Sequence, residues 1–156
     1  MENHVYVFYK EVHKQIDGGP IGLRVTGSIA KIVMIWFDKK LLVSLKVLKI
    51  QVLMYKRYVD DANLVLRALT KGLQFDGTKL VLDPINQSDP PDVQTARVIT
   101  QIADSILPDV IKMEFDTPSL HPNERLPILD LEVWVENNQI YHSFYKKSMA
   151  SQSVIR

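Results

Sequence analysis

The sequence predicts an α+β fold, with helices packed on one face of an antiparallel sheet, and three observations lead to this prediction. Two pairs of apolar, partly alternating runs are each separated by a short polar turn, which is the pattern of β-hairpins. A segment near residue 100 instead repeats its apolar residues every three or four positions, as an amphipathic helix does. The chain has 156 residues, which is enough for one domain with a core of its own.

The composition excludes several classes of protein. Hydrophobic residues make up 46% of the chain and charged residues 24%, which is a globular rather than a disordered composition. There is no cysteine, so a disulfide framework and a cysteine-based zinc site are excluded, and an intracellular compartment is favoured. The chain opens without a secretory signal, and lysines interrupt its most apolar stretch, residues 29–53, so no membrane partner is expected.

Charge gives no global indication of a nucleic-acid partner. Lysine and arginine number 19 against 18 aspartate and glutamate residues, for a formal net charge of +1. Basic residues gather in the segments that carry the motifs described below, whereas acidic residues are frequent in residues 76–92 and 104–116. A basic groove for nucleic acid is therefore expected only locally, with ordinary solvated lysines as the alternative.

The first third of the chain predicts a strand, a turn and a long helix. Residues 5–9 are β-branched and aromatic, which favours a strand whose alternate side chains enter a core. Residues 17–20, Asp-Gly-Gly-Pro, predict a sharp turn. A helix is expected from about Thr26, so rich in apolar residues that it should be mostly buried. Residues 43–53 fit either a helix or a strand.

The rest of the chain predicts two hairpins with further elements between them. The first hairpin consists of residues 53–59 and 62–66, joined by Asp60 and Asp61. The second consists of residues 128–135 and 139–145, joined across residues 136–138. Between the hairpins we expect a loop at 71–92 with a short strand at 79–82, a helix at 93–107 ended by Pro108, a strand at 111–115 and a loop at 117–125.

Adjacent aspartates at a strand junction are the most informative feature of the sequence. Asp60 and Asp61 place two carboxylates together, and hard cations such as Mg²⁺ bind carboxylate oxygens together with water and substrate phosphates. Pairs of such ions activate the attacking oxygen and stabilise the leaving oxygen in phosphoryl transfer. A solvated Asp-Asp turn without any ligand is the alternative for an isolated pair.

Three ordered motifs resemble those of reverse transcriptases. The run Tyr58-Val59-Asp60-Asp61 between apolar strands resembles the Tyr-x-Asp-Asp signature of the catalytic hairpin in the palm domain. Upstream, Gln15-Ile16-Asp17-Gly18, followed by Gly22 and an apolar helix, resembles the segment that carries Gln-x-x-Gly. Downstream, residues 126–131, Leu-Pro-Ile-Leu-Asp-Leu, and then residues 145–147, Tyr-Lys-Lys, resemble the hairpin that closes the palm. The likeness is closest to Penelope-like and related non-LTR retroelements.

The resemblance implies a partial polymerase palm with assigned segments and residues. It implies an RNA-directed DNA polymerase that adds deoxynucleotides to a primer 3′-hydroxyl, with an RNA template, a DNA primer and deoxynucleoside triphosphates as partners. Its segments are a nucleotide-positioning segment at 14–34, a catalytic hairpin at 53–66, an internal loop at 71–92 and a closing hairpin at 126–147. Mg²⁺, with Mn²⁺ as the alternative, would be held by Asp60 and Asp61. The substrate-binding residues would be Gln15, Gly18, Gly22 and Tyr58.

The closing hairpin is implied to support the primer end. Trp134 and Tyr141 are expected in a core, because alternation along a strand places half of its residues inside. Stacking of an exposed aromatic ring on nucleic acid is the alternative for these two residues. Asp130 matches the family-like pattern, but the residues themselves predict no role for it.

Departures from the family pattern predict an incomplete catalytic centre. The palm of these enzymes also uses an aspartate on an earlier strand, and Asp17 lies within the glycine turn and does not replace it. Leu23, Arg24 and Val25 stand where small polar residues and proline are usual. The chain is therefore expected to be inactive alone. A domesticated or decayed retroelement fragment that binds nucleic acid or protein is the alternative, and an unrelated α+β domain with an accidental Asp-Asp turn is a third interpretation.

Overall fold

The computed structural model describes residues 5–14, 24–70, 72–83, 88–137 and 139–145. The chain divides into two units, Met1–Lys40 and Leu41–Arg156. Two α-helices and nine strands in antiparallel sheets occur in these ranges, which confirms the mixed α+β class. The strands form three two-stranded sheets and one three-stranded sheet, so the prediction of one shared sheet is wrong for the part of the chain described.

The first unit begins with a hairpin of strands β1 (Val5–Phe8) and β2 (Glu11–Lys14). Tyr9 and Lys10 both have positive φ, 50° and 69°, as a type I′ turn requires. Strand β1 was predicted, but β2 was missed because Glu-Val-His-Lys is too polar to stand out as a strand. All four residues of β1 are exposed, so the prediction that alternate side chains enter a core is wrong.

Helix α1 (Arg24–Val47) follows and extends across the boundary between the units. Phe37, Leu41 and Leu45 are buried and lie four residues apart, which places them on one face of the helix. The prediction of a mostly buried helix is wrong, because other apolar residues of the helix are exposed, on this face as well as on the others. These are Val25, Ile29, Ile32, Val33, Ile35, Trp36, Val43 and Val47.

The end of α1 resolves the ambiguous segment at 43–53. The helix continues to Val47, and Lys49 then adopts a left-handed φ of 59°. The amide of Ile50 donates to the carbonyl of Leu45 at 2.9 Å, and the amide of Lys49 donates to the carbonyl of Lys46 at 3.0 Å. This is a Schellman motif, and the burial of both Ile50 and Leu45 supplies its hydrophobic contact. Strand β3 starts directly afterwards, at Val52.

The second unit contains the first predicted hairpin, formed by β3 (Val52–Tyr58) and β4 (Asp61–Leu66). Strands β5 (Leu73–Phe75) and β6 (Leu80–Leu82) form a further hairpin inside the segment predicted as a loop, and β6 confirms the short strand expected there. The carboxylate of Asp76 accepts bonds from the amides of Thr78 and Lys79, both at 2.9 Å, and so closes the turn between them. These bonds hold the pKa of Asp76 below its ordinary value.

Helix α2 (Pro91–Asp104) packs against β5 and provides much of the core of this unit. It begins two residues before the predicted helix and ends at Asp104, before Pro108. Its buried apolar residues are Val93, Val98, Ile102 and Ala103.

Polar side chains of α2 also bind the backbone of the segment that leads into β5 and of β5 itself. The amide of Gly72 donates to Oε1 of Gln94 at 2.7 Å, and the amide of Phe75 donates to Oε1 of Gln101 at 2.8 Å. The amide of Leu69 donates to Oγ1 of Thr95 at 3.0 Å. These bonds satisfy backbone donors that no strand in the described part of the chain reaches.

Between α2 and the next strand the chain forms a short 3₁₀ helix at Pro118–Leu120. The prediction of a strand at residues 111–115 is wrong. These residues alternate between apolar and polar, but no described segment pairs with them. The amide and hydroxyl of Ser119 donate to Asp92 at 3.0 and 2.7 Å and tie this segment to the start of α2. Partial burial raises the pKa of Asp92, but these bonds outweigh it, so the pKa lies below its ordinary value.

The chain closes with a three-stranded sheet of β7 (Leu126–Ile128), β8 (Leu131–Glu136) and β9 (Gln139–Phe144). The predicted strand at 128–135 is divided by a two-residue turn, since Ile128 pairs with Leu131. The second hairpin is confirmed, with Glu136 opposite Gln139. In the described parts of the chain, neither helix combines the length and the apolar composition that crossing a bilayer requires.

Candidate active site

The candidate site lies at the tip of the β3–β4 hairpin. Tyr58 pairs with Asp61, so the turn consists of Val59 and Asp60. The predicted turn, Asp60 and Asp61, is therefore wrong by one residue, and Asp61 is the first residue of β4. One carboxylate extends from the turn and the other from the strand beside it, and both residues are exposed.

The turn contains a conformation that its sequence disfavours. Val59 has a φ of 55°, in the left-handed region, whereas Asp60 does not. Positive φ at the first residue alone is the pattern of a type II′ turn, in which glycine usually occupies that position. A β-branched residue there is a clear outlier, and such strain clusters at functional sites.

Arg57 stabilises this turn from inside the hairpin. One guanidinium nitrogen donates to the backbone carbonyl of Asp60 at 3.0 Å, and the other donates to the hydroxyl of Tyr55 at 3.0 Å. The guanidinium therefore binds the backbone of the turn that carries Asp60. Sequence reasoning missed this role of Arg57, although its position three residues before Asp60 could have indicated it.

Four substrate-binding residues were predicted, and of these Tyr58 lies in the described part of the chain, next to the aspartates in the hairpin. It is 60% exposed and lies directly opposite Asp61 in the ladder. Gln15, Gly18 and Gly22 lie outside the described residues, as do the turn at 17–20 and Lys146 and Lys147.

The donor set fits part of a magnesium site. Asp60 and Asp61 supply hard carboxylate oxygens, and one or two carboxylates with water and substrate phosphates are a common Mg²⁺ environment. No group of three or more acidic, histidine or cysteine side chains that could hold a metal occurs in the described residues. The hairpin thus presents two carboxylates, and no third acidic, histidine or cysteine side chain groups with them in the described residues.

In the three-stranded sheet of β7, β8 and β9, the aromatic residues are not all buried as predicted. Trp134 is half-buried and stacks on Tyr141, with ring centroids 5.9 Å apart and ring planes inclined by 20°. The guanidinium carbon of Arg125 lies 4.3 Å from the centroid of the Trp134 ring. Tyr141 is 38% exposed, so the prediction of a core role is wrong for this residue.

Asp130 lies in the turn between β7 and β8, after Leu129 with a φ of 57°. This turn repeats the backbone pattern of Val59 and Asp60. The amide of Tyr145 donates to the carbonyl of Asp130 at 2.8 Å, so the described role of Asp130 is a backbone contact at the end of the sheet.

Comparisons with known proteins give this chain no relatives. No protein-family model, no curated protein and no solved structure matches it.

Proposed function

We propose that this chain is part of the palm of an RNA-directed DNA polymerase, in which Asp60 and Asp61 hold the catalytic metal ions. The observation that carries the proposal is the hairpin itself. Two exposed, consecutive aspartates lie at the tip of an antiparallel hairpin, and the residue before them has the strained φ of 55°. The order of the other two sequence motifs supports the same interpretation.

The chemistry assigned to these residues is that of nucleotidyl transfer. Divalent cations supply charge stabilisation for the attacking 3′-oxygen of the primer and for the leaving pyrophosphate. Asp60 and Asp61 accept the cation through their carboxylates, and Arg57 fixes the turn that carries them. Tyr58, exposed beside Asp61, contacts the nucleotide or the primer. The RNA template, the DNA primer and the deoxynucleoside triphosphate are the proposed partners.

Manganese binding tests the proposal, because Mn²⁺ replaces Mg²⁺ and is observed directly by electron paramagnetic resonance. The purified chain is titrated with Mn²⁺ alone and with a primer–template RNA–DNA hybrid and a non-hydrolysable deoxynucleoside triphosphate. Two carboxylates without substrate bind Mn²⁺ weakly, and phosphates complete the coordination. Affinity for Mn²⁺ is therefore expected to rise, by about tenfold or more, when hybrid and nucleotide are both present.

Matched variants assign this effect to the hairpin. Asp60→Asn and Asp61→Asn should each abolish the substrate-dependent rise. Asp130→Asn serves as the control, because Asp130 occupies the same position in a turn of the same pattern. If Mn²⁺ affinity does not respond to hybrid and nucleotide, or if Asp130→Asn removes the response as well, the proposal is wrong.

Primer extension gives a second readout. We expect no extended product from this chain alone, because the described residues add no third carboxylate to Asp60 and Asp61. Extension of a DNA primer on an RNA template by the purified chain would contradict this expectation, and loss of that activity in Asp60→Asn would still support the assignment of the hairpin.

A further inference from the structure

Strand β9 presents an outer edge with a regular pattern of backbone groups. It is the last strand of its sheet, and no described strand pairs with that edge. The amide of Tyr145 donates to the carbonyl of Asp130, so these two residues form a hydrogen-bonded pair. Hydrogen-bonded and non-hydrogen-bonded pairs alternate along an antiparallel ladder. The residues of β9 whose amides and carbonyls point to the outer edge are therefore Ile140, His142 and Phe144.

This edge lacks the features that keep edge strands from pairing with other chains. Strand β9, Gln-Ile-Tyr-His-Ser-Phe, contains no lysine, no acidic residue and no proline, and its pairing with β8 runs without a bulge. Charged residues, proline and bulges are the usual protection of an edge strand. The edge also belongs to a three-stranded sheet, whereas β1 and β2 form a two-stranded hairpin, which is a less stable template.

The side chains beside the edge are apolar on one face of the sheet. Ile140 and Phe144 are 75% and 91% exposed, and they share a face with His142 because alternate residues of a strand do so. Strands β7 and β8 contribute only apolar residues to this face, namely Leu126, Ile128, Leu131, Val133 and Val135. The pattern favours a neutral strand as the partner, with apolar residues at alternate positions.

The strand that meets these requirements on the page is β9 itself. Antiparallel pairing of two copies about a two-fold axis at His142 places Ile140 opposite Phe144 of the second copy, and the reverse. All three outward-facing residues of each copy then pair. Moving the axis by one residue leaves either Ile140 or Phe144 without a partner in the described strand. The edge is thus complementary to itself in one best register.

From these observations we propose that β9 pairs with β9 of a second copy of this chain, which joins the two three-stranded sheets into one sheet with a continuous apolar face. The contact is small, and its backbone groups exchange hydrogen bonds with water for bonds with each other. A transient dimer with a dissociation constant in the micromolar range is expected. The pairing uses neither Asp60 nor Asp61, so it is independent of the metal-binding proposal.

Sedimentation velocity tests the proposal, on the purified chain at about 1–500 µM in EDTA and without nucleic acid. Two double variants provide the matched comparison. Ile140→Lys with Phe144→Lys places like charges opposite each other across the axis and should raise the dissociation constant about tenfold or more. Ile140→Lys with Phe144→Glu instead places opposite charges together and should bind about tenfold more tightly than the double-lysine variant.

These substitutions act between copies rather than within one chain. Residues 140 and 144 of one strand are about 14 Å apart, so their charges do not pair internally. Both side chains are largely exposed, so the fold is expected to persist, which circular dichroism checks. Val7→Lys is the control, because it places a charge on the outer edge of β1 instead and should leave the dimer unchanged.

The histidine on the axis makes the dimer sensitive to pH. In this register His142 lies opposite His142 of the second copy, and the residues beside it on this face are Val133, Ile140 and Phe144, none of which is titratable. Imidazole takes up a proton near pH 6.5, and like charges directly opposite each other destabilise a strand pair. The dissociation constant should rise about fivefold or more from about pH 7.5 to pH 5.5, and His142→Thr should remove this dependence.

Each outcome decides the proposal. A wild-type chain that stays monomeric up to about 500 µM overturns it. A dimer that survives in the double-lysine variant, or that Val7→Lys abolishes, also overturns it, because the contact then lies elsewhere. Equal dissociation constants of the two double variants, or a pH response that persists in His142→Thr, exclude the register and with it the proposal. Failure here leaves the Mn²⁺ prediction intact, and the reverse also holds, because the two experiments use different residues and different readouts.

Discussion

Replacing Gln94 with methionine should destabilise the second unit strongly. Gln94 is 5% exposed and makes two short hydrogen bonds from one side chain. Its Oε1 accepts from the amide of Gly72 at 2.7 Å, and its Nε2 donates to the carbonyl of Asp89 at 2.7 Å. Methionine has nearly the same length and volume, so Gln94→Met removes both bonds without creating a large cavity.

The expected magnitude follows from the two backbone groups that lose their partner. Gly72 is buried, and a buried donor left without a partner costs about 1–3 kcal/mol. The carbonyl of Asp89 is less buried and adds about 1 kcal/mol. Methionine has no polar amide to bury, and the absence of that desolvation cost offsets part of the loss. The net decrease in the free energy of unfolding is therefore about 2–3 kcal/mol.

Urea denaturation followed by circular dichroism measures this loss. With a slope of about 2 kcal/mol/M, the midpoint should fall by about 1–1.5 M. Gln101→Met is the control, because its bond to the amide of Phe75 is only partly buried and water can replace it. A Gln94→Met midpoint within about 0.3 M of wild type, or an equal effect of both substitutions, would refute the reasoning.

Three further changes have expected outcomes. Lys49→Gly should raise the free energy of unfolding by about 1 kcal/mol in thermal denaturation, because glycine adopts the φ of 59° without strain; an unchanged melting temperature would contradict this. Val59→Gly should stabilise the hairpin by a similar amount but weaken substrate-dependent Mn²⁺ binding, because the turn loses its rigidity. The folded pKa of Asp92 lies below 3.8, so its contribution to stability is complete above that pH and is lost as the pH falls through the folded pKa. Ser119→Ala removes the hydroxyl that donates to Asp92, so the free energy of unfolding should fall less steeply below pH 3.8 than in the wild type. Measuring the free energy of unfolding at a series of pH values checks this.

The elements that the sequence predicts well are those in which local pattern and pairing agree. The β3–β4 hairpin, the β8–β9 hairpin and α2 each combine a clear period with a turn or a proline at their ends. The strand expected at residues 111–115 has an equally clear alternation, but no described strand pairs with it. Alternation shows that a segment can form a strand, whereas pairing depends on residues far away in the chain.

Polar contributions to the core were not predictable from hydrophobic periodicity. Gln94 and Thr95 are buried because the backbone near β5 needs acceptors, and that need becomes visible only when β5 lies beside α2. Lys49 ends α1 in a conformation usually taken by glycine, so no sequence rule identifies it as the cap.

The hairpin that carries Asp60 and Asp61 was predicted, but the register of its turn was wrong by one residue. Turn preferences select Asp60 and Asp61 over Val59, because valine disfavours positive φ. The folded hairpin places Val59 there nevertheless, and Asp61 gains a strand position opposite Tyr58. The contact between Arg125 and Trp134 was also not predicted, because Arg125 precedes its strand and the contact depends on the pairing of the sheet.

The exposed β1–β2 hairpin has a practical consequence for handling the protein. Strand β1, Val-Tyr-Val-Phe, has no charged residue, and no described strand pairs with its outer edge. An uncovered apolar edge of this kind is a template on which strands of other molecules add, and it promotes aggregation. Substituting lysine for Val7, which is 69% exposed, places a gatekeeper charge in that edge and should raise the concentration at which the purified chain remains soluble.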